Sequence, residues 1–176
     1  NFRKDSLSYD TNNDLLDEVK QNWDGSNWAN YKMFSYTYDG NGNWADRIEQ
    51  YWSTSSWENS YKYIYTYDSN SNITEMLRED WVVSSWFSNT RYTYAYDGNE
   101  NLLDLLVENW DTTAWVNNWK DSFAYDGNNN MTEHIRENWE GSAWEYSNKI
   151  SYTYESTNNV TEELRQSWVG SSWLNT

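Results

Sequence analysis

The chain has 176 residues with 14 Trp, 16 Tyr, no Pro and no Cys, a formal charge of −16 and a mean hydropathy of −1.11. That acidity argues against nucleic-acid phosphates and anionic membrane surfaces as partners, since both need Lys and Arg. Without Cys there is no disulfide framework, thiolate chemistry or Cys-based zinc site, and no apolar run approaches the ~20 residues of a membrane-spanning helix. Low hydropathy alone would suggest disorder, but disordered chains are poor in rings, and this one is 19% aromatic. Trp and Tyr pair large apolar faces with a polar handle, so the expected core is aromatic rather than aliphatic.

One period organises the sequence. Trp23, Trp52, Trp81, Trp110, Trp139 and Trp168 are spaced by 29, as are Trp28, Trp57, Trp86, Trp115, Trp144 and Trp173. The same step separates Tyr38, Tyr67, Tyr96, Tyr125 and Tyr154, each followed by an acid, with Tyr9-Asp10 one step earlier. Six copies of a 29-residue unit fill residues 1–176 as a single repeat array. Asn1 falls in the phase of Asn30, Asn59, Asn117 and Asn175, and neither terminus reads as a capping repeat. The expectation is a window on a longer array, or the subunit of a filament.

In chain order, the first turn signal follows Tyr9, and a segment of mixed character runs to Trp23. Asp24-Gly25-Ser26-Asn27 reads as a four-residue hairpin loop before Trp28. Phe34, Tyr36 and Tyr38 then alternate with Ser35 and Thr37, a strand signal repeated at Tyr63, Tyr65, Tyr67 and at Tyr92, Tyr94, Tyr96. After each comes Asp-x-Asn-x-Asn: Asp39, Asn41, Asn43; Asp68, Asn70, Asn72; Asp97, Asn99, Asn101. These residues accept positive φ and bond their own backbone, so the block is a turn. The segment Ile73 to Trp81 suits a short helix by its i, i+4, i+8 apolar spacing, and Thr161 to Trp168 is helix-prone. A strand fits better, because Trp81 and Trp86 then close a hairpin over a four-residue loop at residues 82–85.

Pairing Trp81 with Trp86 places Ile73, Glu75, Leu77, Glu79 and Trp81 on one face with Trp86, Tyr92, Tyr94 and Tyr96. Thr74, Arg78, Asp80, Arg91, Thr93 and Ala95 fall on the other. The expected fold is all-β: an antiparallel array of hairpins, meander or solenoid, two strands per copy and about twelve in all, one face aromatic and the other wet. On the aromatic face an acid recurs at Asp17, Asp46, Glu75, Asp104, Glu133 and Glu162. Each is expected opposite the middle Tyr of the adjoining strand (Glu75 near Tyr65, Asp46 near Tyr36), taking its hydroxyl proton as a hydrogen bond.

The string Tyr36-Thr37-Tyr38-Asp39-Gly40-Asn41-Gly42-Asn43, echoed from Tyr65 to Asn72, resembles the YD repeats of Rhs-type bacterial shell proteins. The whole unit, with WDGSNW and YTYDGNGN alternating, is also similar to tandem repeats of large secreted bacterial surface proteins. The unit length and the paired Trp depart from the YD pattern. The resemblance implies β-hairpin strips and a secreted or cell-surface bacterial protein.

Candidate chemistry is sparse. Asp-x-Asn-x-Asn resembles the start of a calcium-binding EF-hand loop, with Glu79, Glu108 and Glu137 at the twelfth position, but the sixth is Ile73, Leu102 or Met131 instead of Gly. No cofactor is expected, and calcium in another geometry stays open. The Trp pairs read first as cross-strand locks and second as a stacking platform for glycans. His134 has Glu18, Arg47, Met76, Leu105 and Glu163 as counterparts and reads as incidental. Acids present in every copy do not resemble a singular glycosidase pair, so an enzyme is not expected. Asn72, Asn130 and Asn159 begin Asn-x-Thr sequons, and Asp5-Ser6-Leu7 and Asp111-Thr112-Thr113 resemble bacterial O-glycosylation signals. The leading expectation is an extracellular structural protein, a fibre subunit or adhesin stalk that self-associates end to end or face to face. A carbohydrate-binding repeat module is the alternative.

Overall fold

The structure, a computed structural model, describes residues 2–176. Thirteen strands follow one another: β1 (Arg3–Tyr9), β2 (Leu15–Trp23), β3 (Trp28–Tyr38), β4 (Trp44–Ser53), β5 (Ser56–Tyr67), β6 (Ile73–Val82), β7 (Ser85–Tyr96), β8 (Leu102–Trp110), β9 (Trp115–Tyr125), β10 (Met131–Trp139), β11 (Trp144–Tyr154), β12 (Val160–Val169) and β13 (Ser172–Asn175). They form one antiparallel sheet in sequence order, a meander in which β1 and β13 each have a single neighbour. The all-β array with two strands per copy is therefore what the chain forms. The thirteenth strand is the short arm Ser172–Asn175, paired with β12. The helix-prone stretches became β6 and β12, since propensity yields to a segment flanked by pairing partners on both sides. By contacts the chain divides into two compact units, Asn1–Asn89 and Thr90–Thr176.

The expected distribution of faces is overturned, and the reason is a β-bulge in almost every pairing. In the first unit Trp52 pairs with Trp57 and Gln50 with Asn59, but Glu49 pairs with Tyr61, so Ser60 is passed over. The matching extra residue between β2 and β3 is Tyr31, and in the second unit it is Asn118 between β8 and β9 and Ser147 between β10 and β11. Each bulge slips the register by one, and with a side-chain period of two that moves everything beyond it to the opposite face. The indole pairs thus share one face with Gln50, Ile48 and Lys62, whereas Tyr61, Tyr63, Tyr65 and Tyr67 share the other with Glu49, Arg47 and Arg78. Both faces carry rings, and both are largely half-exposed. We call them the Trp face and the Tyr face.

A second bulge follows the Tyr-Asp turn. Thr66 pairs with Glu75 and Tyr67 with Ile73, passing over Thr74; Ala45 in the first unit and Leu103, Thr132 and Thr161 in the second are its equivalents. This slip puts the recurring acids on the face opposite the Tyr rings. Asp46 pairs with Thr37 and Asp17 with Ser35, not with the middle Tyr.

The Trp-side hairpins are of two kinds, told by the residue after the first Trp, and an acid there marks the longer one: Asp24, Asp111 and Glu140 each open a four-residue loop and donate their N–H to the carbonyl three residues on. Where it is Asp, a four-residue loop forms: Asp24 Oδ1 accepts the N–H groups of Ser26 and Asn27 at 2.8 and 2.7 Å, and Asp111 Oδ1 those of Thr113 and Ala114 at 2.9 Å. Where it is Ser53, Val82 or Val169, the ladder runs one residue further, leaving the two-residue turns Thr54-Ser55, Val83-Ser84 and Gly170-Ser171. The expected four-residue loop at residues 82–85 is therefore corrected to a tighter turn.

These turns demand a left-handed residue. Gly25, Gly141 and Gly170 supply it at φ 108°, 83° and 68°, but Thr54 and Val83 adopt 49° and 59°. A β-branched side chain is strained there. Val83 is also 95% exposed and gains no packing in return. Val83→Asn is expected to raise the unfolding free energy by about 1 kcal/mol. Urea denaturation would show this as a higher midpoint at constant slope, and an unchanged or lower midpoint would contradict the strain.

Candidate functional site

At the Tyr-Asp edge each unit is laced from copy to copy. The last Tyr of one copy donates its hydroxyl to the carbonyl of the residue opening the acidic strand in the copy before. The bonds are Tyr38 to Leu15 at 3.0 Å and Tyr67 to Trp44 at 2.9 Å in the first unit, and Tyr125 to Leu102 at 3.0 Å and Tyr154 to Met131 at 2.7 Å in the second. Tyr96 pairs in register with Leu102. Neighbouring turns also bond to one another: Asn43 Nδ2 donates to Ser71 Oγ, Asn101 Nδ2 to Asn129 Oδ1 and Asn130 Nδ2 to Asn158 Oδ1.

The carboxylates considered for calcium are engaged inside these turns. Asp39 Oδ1 accepts from the Asn41 and Asn43 N–H groups at 2.8 and 2.9 Å, and Asn43 Nδ2 donates to Asp39 Oδ2. The same pattern joins Asp68 with Asn70 and Asn72, and Asp97 with Asn99 and Asn101. The donated N–H groups hold Asp39, Asp68 and Asp97 below the ordinary carboxylate range. A carboxyl depressed in the folded state stabilises the fold above its unfolded pKa, and that contribution fades as pH falls through the lowered value. Among the described residues no three acids or imidazoles gather around a common point. Of the three sequon amides, Asn72 donates to Asp68, Asn130 to Asp126 and Asn159 to Glu155.

On the Trp face all six cross-strand indole pairs form, with centroids 4.9–5.4 Å apart and planes inclined by 64–72°: Trp23–Trp28, Trp52–Trp57, Trp81–Trp86, Trp110–Trp115, Trp139–Trp144 and Trp168–Trp173. Edge-to-face geometry of this kind is worth about 0.5–1.5 kcal/mol per pair beyond burial. In the second unit each pair rests on a cation from the preceding copy. Arg91 lies 4.8 Å from the Trp115 ring centre, Lys120 4.9 Å from Trp144 and Lys149 5.2 Å from Trp173. Arg91 also bonds Glu108, and Lys120 bonds Glu137 at 2.8 Å. The 29-residue step exposes this series too, as Lys62, Arg91, Lys120 and Lys149 with Met33 as the exception. Sequence reasoning that followed only aromatics and acids missed it.

The recurring acids take Ser and Thr hydroxyls instead of Tyr. Ser8 and Ser35 both donate to Asp17, Thr37 to Asp46 and Ser122 to Asp104. Glu75 and Glu162 pair in register with Thr66 and Thr153, and Glu133 lies 3.8 Å from Lys149. Over the Tyr face, Arg47 covers the Tyr63 ring at 4.4 Å and Arg78 the Tyr61 ring at 4.3 Å. His134 is less incidental than its lack of counterparts suggested: it stacks on Phe123 at 4.7 Å, with Nε2 3.1 Å from Asp121 Oδ1.

Two open depressions lie in the first unit. One, of about 520 Å³, follows the Tyr-Asp turns and is lined by Asp10, Asp14, Tyr36, Tyr38 and Asp39 among others. The second, of about 690 Å³, opens on the Trp face between Trp57 and Trp81, with Gln50, Glu58, Asn59 and Val83 completing it. In the second, two indoles of successive pairs flank an amide pair in which Gln50 Nε2 donates to Asn59 Oδ1 at 2.8 Å.

No protein-family model and no curated protein matches the chain in sequence. Solved structures do. A protein of unknown function from Bacteroides fragilis overlays at a TM-score of 0.57 and 15% identity, covering 69% of this chain and 91% of that one. A chain of the TcdB2-TccC3-Cdc42 structure overlays at 0.50 and 13% identity, covering 90% of this chain and 9% of that one. What is shared is the fold. At such identities the likeness extends to the β-sheet scaffold and not to any activity.

Proposed function

We propose that this chain is a structural repeat protein of the bacterial cell surface or secreted space, a fibre or stalk element that self-associates and performs no catalysis. The observation that carries this reading is repetition of whole devices: the indole pair, the Tyr-to-carbonyl bond and the Asx turn recur copy after copy. Each device ties a strand or turn to the neighbouring one, so chain chemistry is spent on joining copies. An enzyme concentrates its perturbed groups at one place, whereas here the acids, amides and rings are distributed with the period. The acidic, Asn-rich surface and the resemblance to tandem repeats of secreted bacterial proteins support the location.

Sedimentation velocity and negative-stain microscopy on the purified chain test the assembly. Concentration-dependent filaments or ordered stacks are expected. Monodisperse single particles at the highest attainable concentration would overturn self-association.

A further inference from the structure

We propose that the groove between Trp57 and Trp81 binds a pyranose segment of a neutral polysaccharide, with the Gln50–Asn59 amide pair as its polar floor. This goes beyond the structural reading, which stands or falls on assembly alone. The groove offers what a sugar ring presents a need for: indole surface for the axial C–H face and in-plane donors and acceptors for vicinal hydroxyls. Trp57 and Trp81 belong to successive indole pairs, on adjacent strands at the same edge of the Trp face. Gln50 Nε2 and Asn59 Oδ1 satisfy each other at 2.8 Å. That leaves Gln50 Oε1 and Asn59 Nδ2, one acceptor and one donor, without a partner among the described residues.

The amide pair sets the site apart from the copies that carry Glu at this position. At the position of Gln50 the later copies carry Glu79, Glu108, Glu137 and Gln166, and Gln166 Nε2 donates to Asn175 Oδ1 at 3.0 Å in the same amide arrangement. Glu108 is closed by Arg91 and Glu137 by Lys120. Gln50 instead pairs across the ladder with Met33, which offers no charge. The floor is therefore neutral and open where those at Glu108 and Glu137 are ionic and filled. The preceding copy repeats the arrangement: Gln21 Nε2 donates to Asn30 Oδ1 at 2.8 Å, and Gln21 Oε1 is shielded from water without a partner. The fold does not use this acceptor. Two strands separate one copy from the next, about 9–10 Å at the ordinary strand spacing. That is about the length of a disaccharide in an extended chain, so one polysaccharide can meet successive indole pairs. The ligand is neutral because Glu58 lines the groove and the chain carries −16; uronic or sulfated chains would be repelled.

Native affinity electrophoresis of the full chain through hydroxyethyl cellulose, galactomannan, xylan and polygalacturonate, with tryptophan emission followed in solution, tests the proposal. Retardation and a saturable emission change are expected with at least one neutral polymer and not with polygalacturonate. Asn59→Ala and Gln50→Leu leave both indole pairs in place, and their folding is checked by circular dichroism. Each is expected to weaken binding by about tenfold, the loss of one hydrogen-bonded anchor. No binding to any neutral polymer, equal binding to polygalacturonate, or undiminished binding by both folded variants would each overturn the site. None of these results touches the sedimentation test of assembly.

Discussion

Arg136→Ala is expected to destabilise the chain by about 2–3 kcal/mol, read from the midpoint of urea denaturation. Asp121 is 5% exposed on the Tyr face, and its two oxygens accept from Arg136 Nε and a terminal guanidinium nitrogen, both at 2.7 Å. The guanidinium also lies 4.1 Å from the Trp119 ring centre. Removing it leaves a buried carboxylate with only the His134 imidazole, 3.1 Å away, beside it. The usual cost of breaking a buried pair is about 3–5 kcal/mol, lowered here because the Arg136 side chain is 36% exposed and keeps part of its hydration. One copy earlier the same two positions are Tyr92 and Val107, paired in register, with Val107 1% exposed. Asp121→Tyr combined with Arg136→Val should therefore recover most of the loss, since a well-packed apolar pair commonly equals or exceeds a buried ion pair. A loss below about 0.5 kcal/mol for Arg136→Ala, within the range of ordinary surface changes, would show that the pair is hydrated and that its burial carries no stability.

Tyr36→Ala is expected to cost about 3 kcal/mol. Only Tyr36 and Val107 are buried apolar side chains among the described residues, so the sheet has little core to redistribute the loss. The Tyr36 ring is 8% exposed, with its centre 5.1 Å from that of Trp44. Its burial pushes the phenol pKa up, and the hydroxyl donates to no described residue. Tyr36→Phe should accordingly be close to neutral. Tyr67→Phe removes a 2.9 Å bond to the Trp44 carbonyl and should cost about 1 kcal/mol. The order Tyr36→Ala, then Tyr67→Phe, then Tyr36→Phe separates ring burial from hydroxyl bonding. An equal loss for both Phe variants would place a hidden partner at Tyr36.

Which features were legible in the sequence follows from how local their causes are. The hairpins were legible because Trp52 and Trp57, or Asp39 and Asn43, are close neighbours whose turn chemistry acts over a few residues. The faces were not. Ser60 and Thr74 carry no mark of a bulge, since a bulge is chosen by how two strands settle against each other and not by the extra residue itself. Reading parity straight through Ser60 put the Tyr rings beside the indoles, and reading it through Thr74 put Glu75 beside Tyr65. Both were one residue out, and period two turned each slip into a change of face. The Trp57–Trp81 groove was invisible for a related reason: Gln50 and Asn59 look like ordinary surface amides until the ladder brings them together between two rings.

The sequence by itself determined the period, the all-β class, the antiparallel pairing of copies and where the chain turns, though not the length of each turn, because each arises from side chains a few residues apart repeated at a fixed step. Only the tertiary structure decided which rings, acids and cations share a face. That outcome depends on a one-residue accommodation between strands, where the small free-energy differences among registers are settled by the whole sheet and not by any local signal.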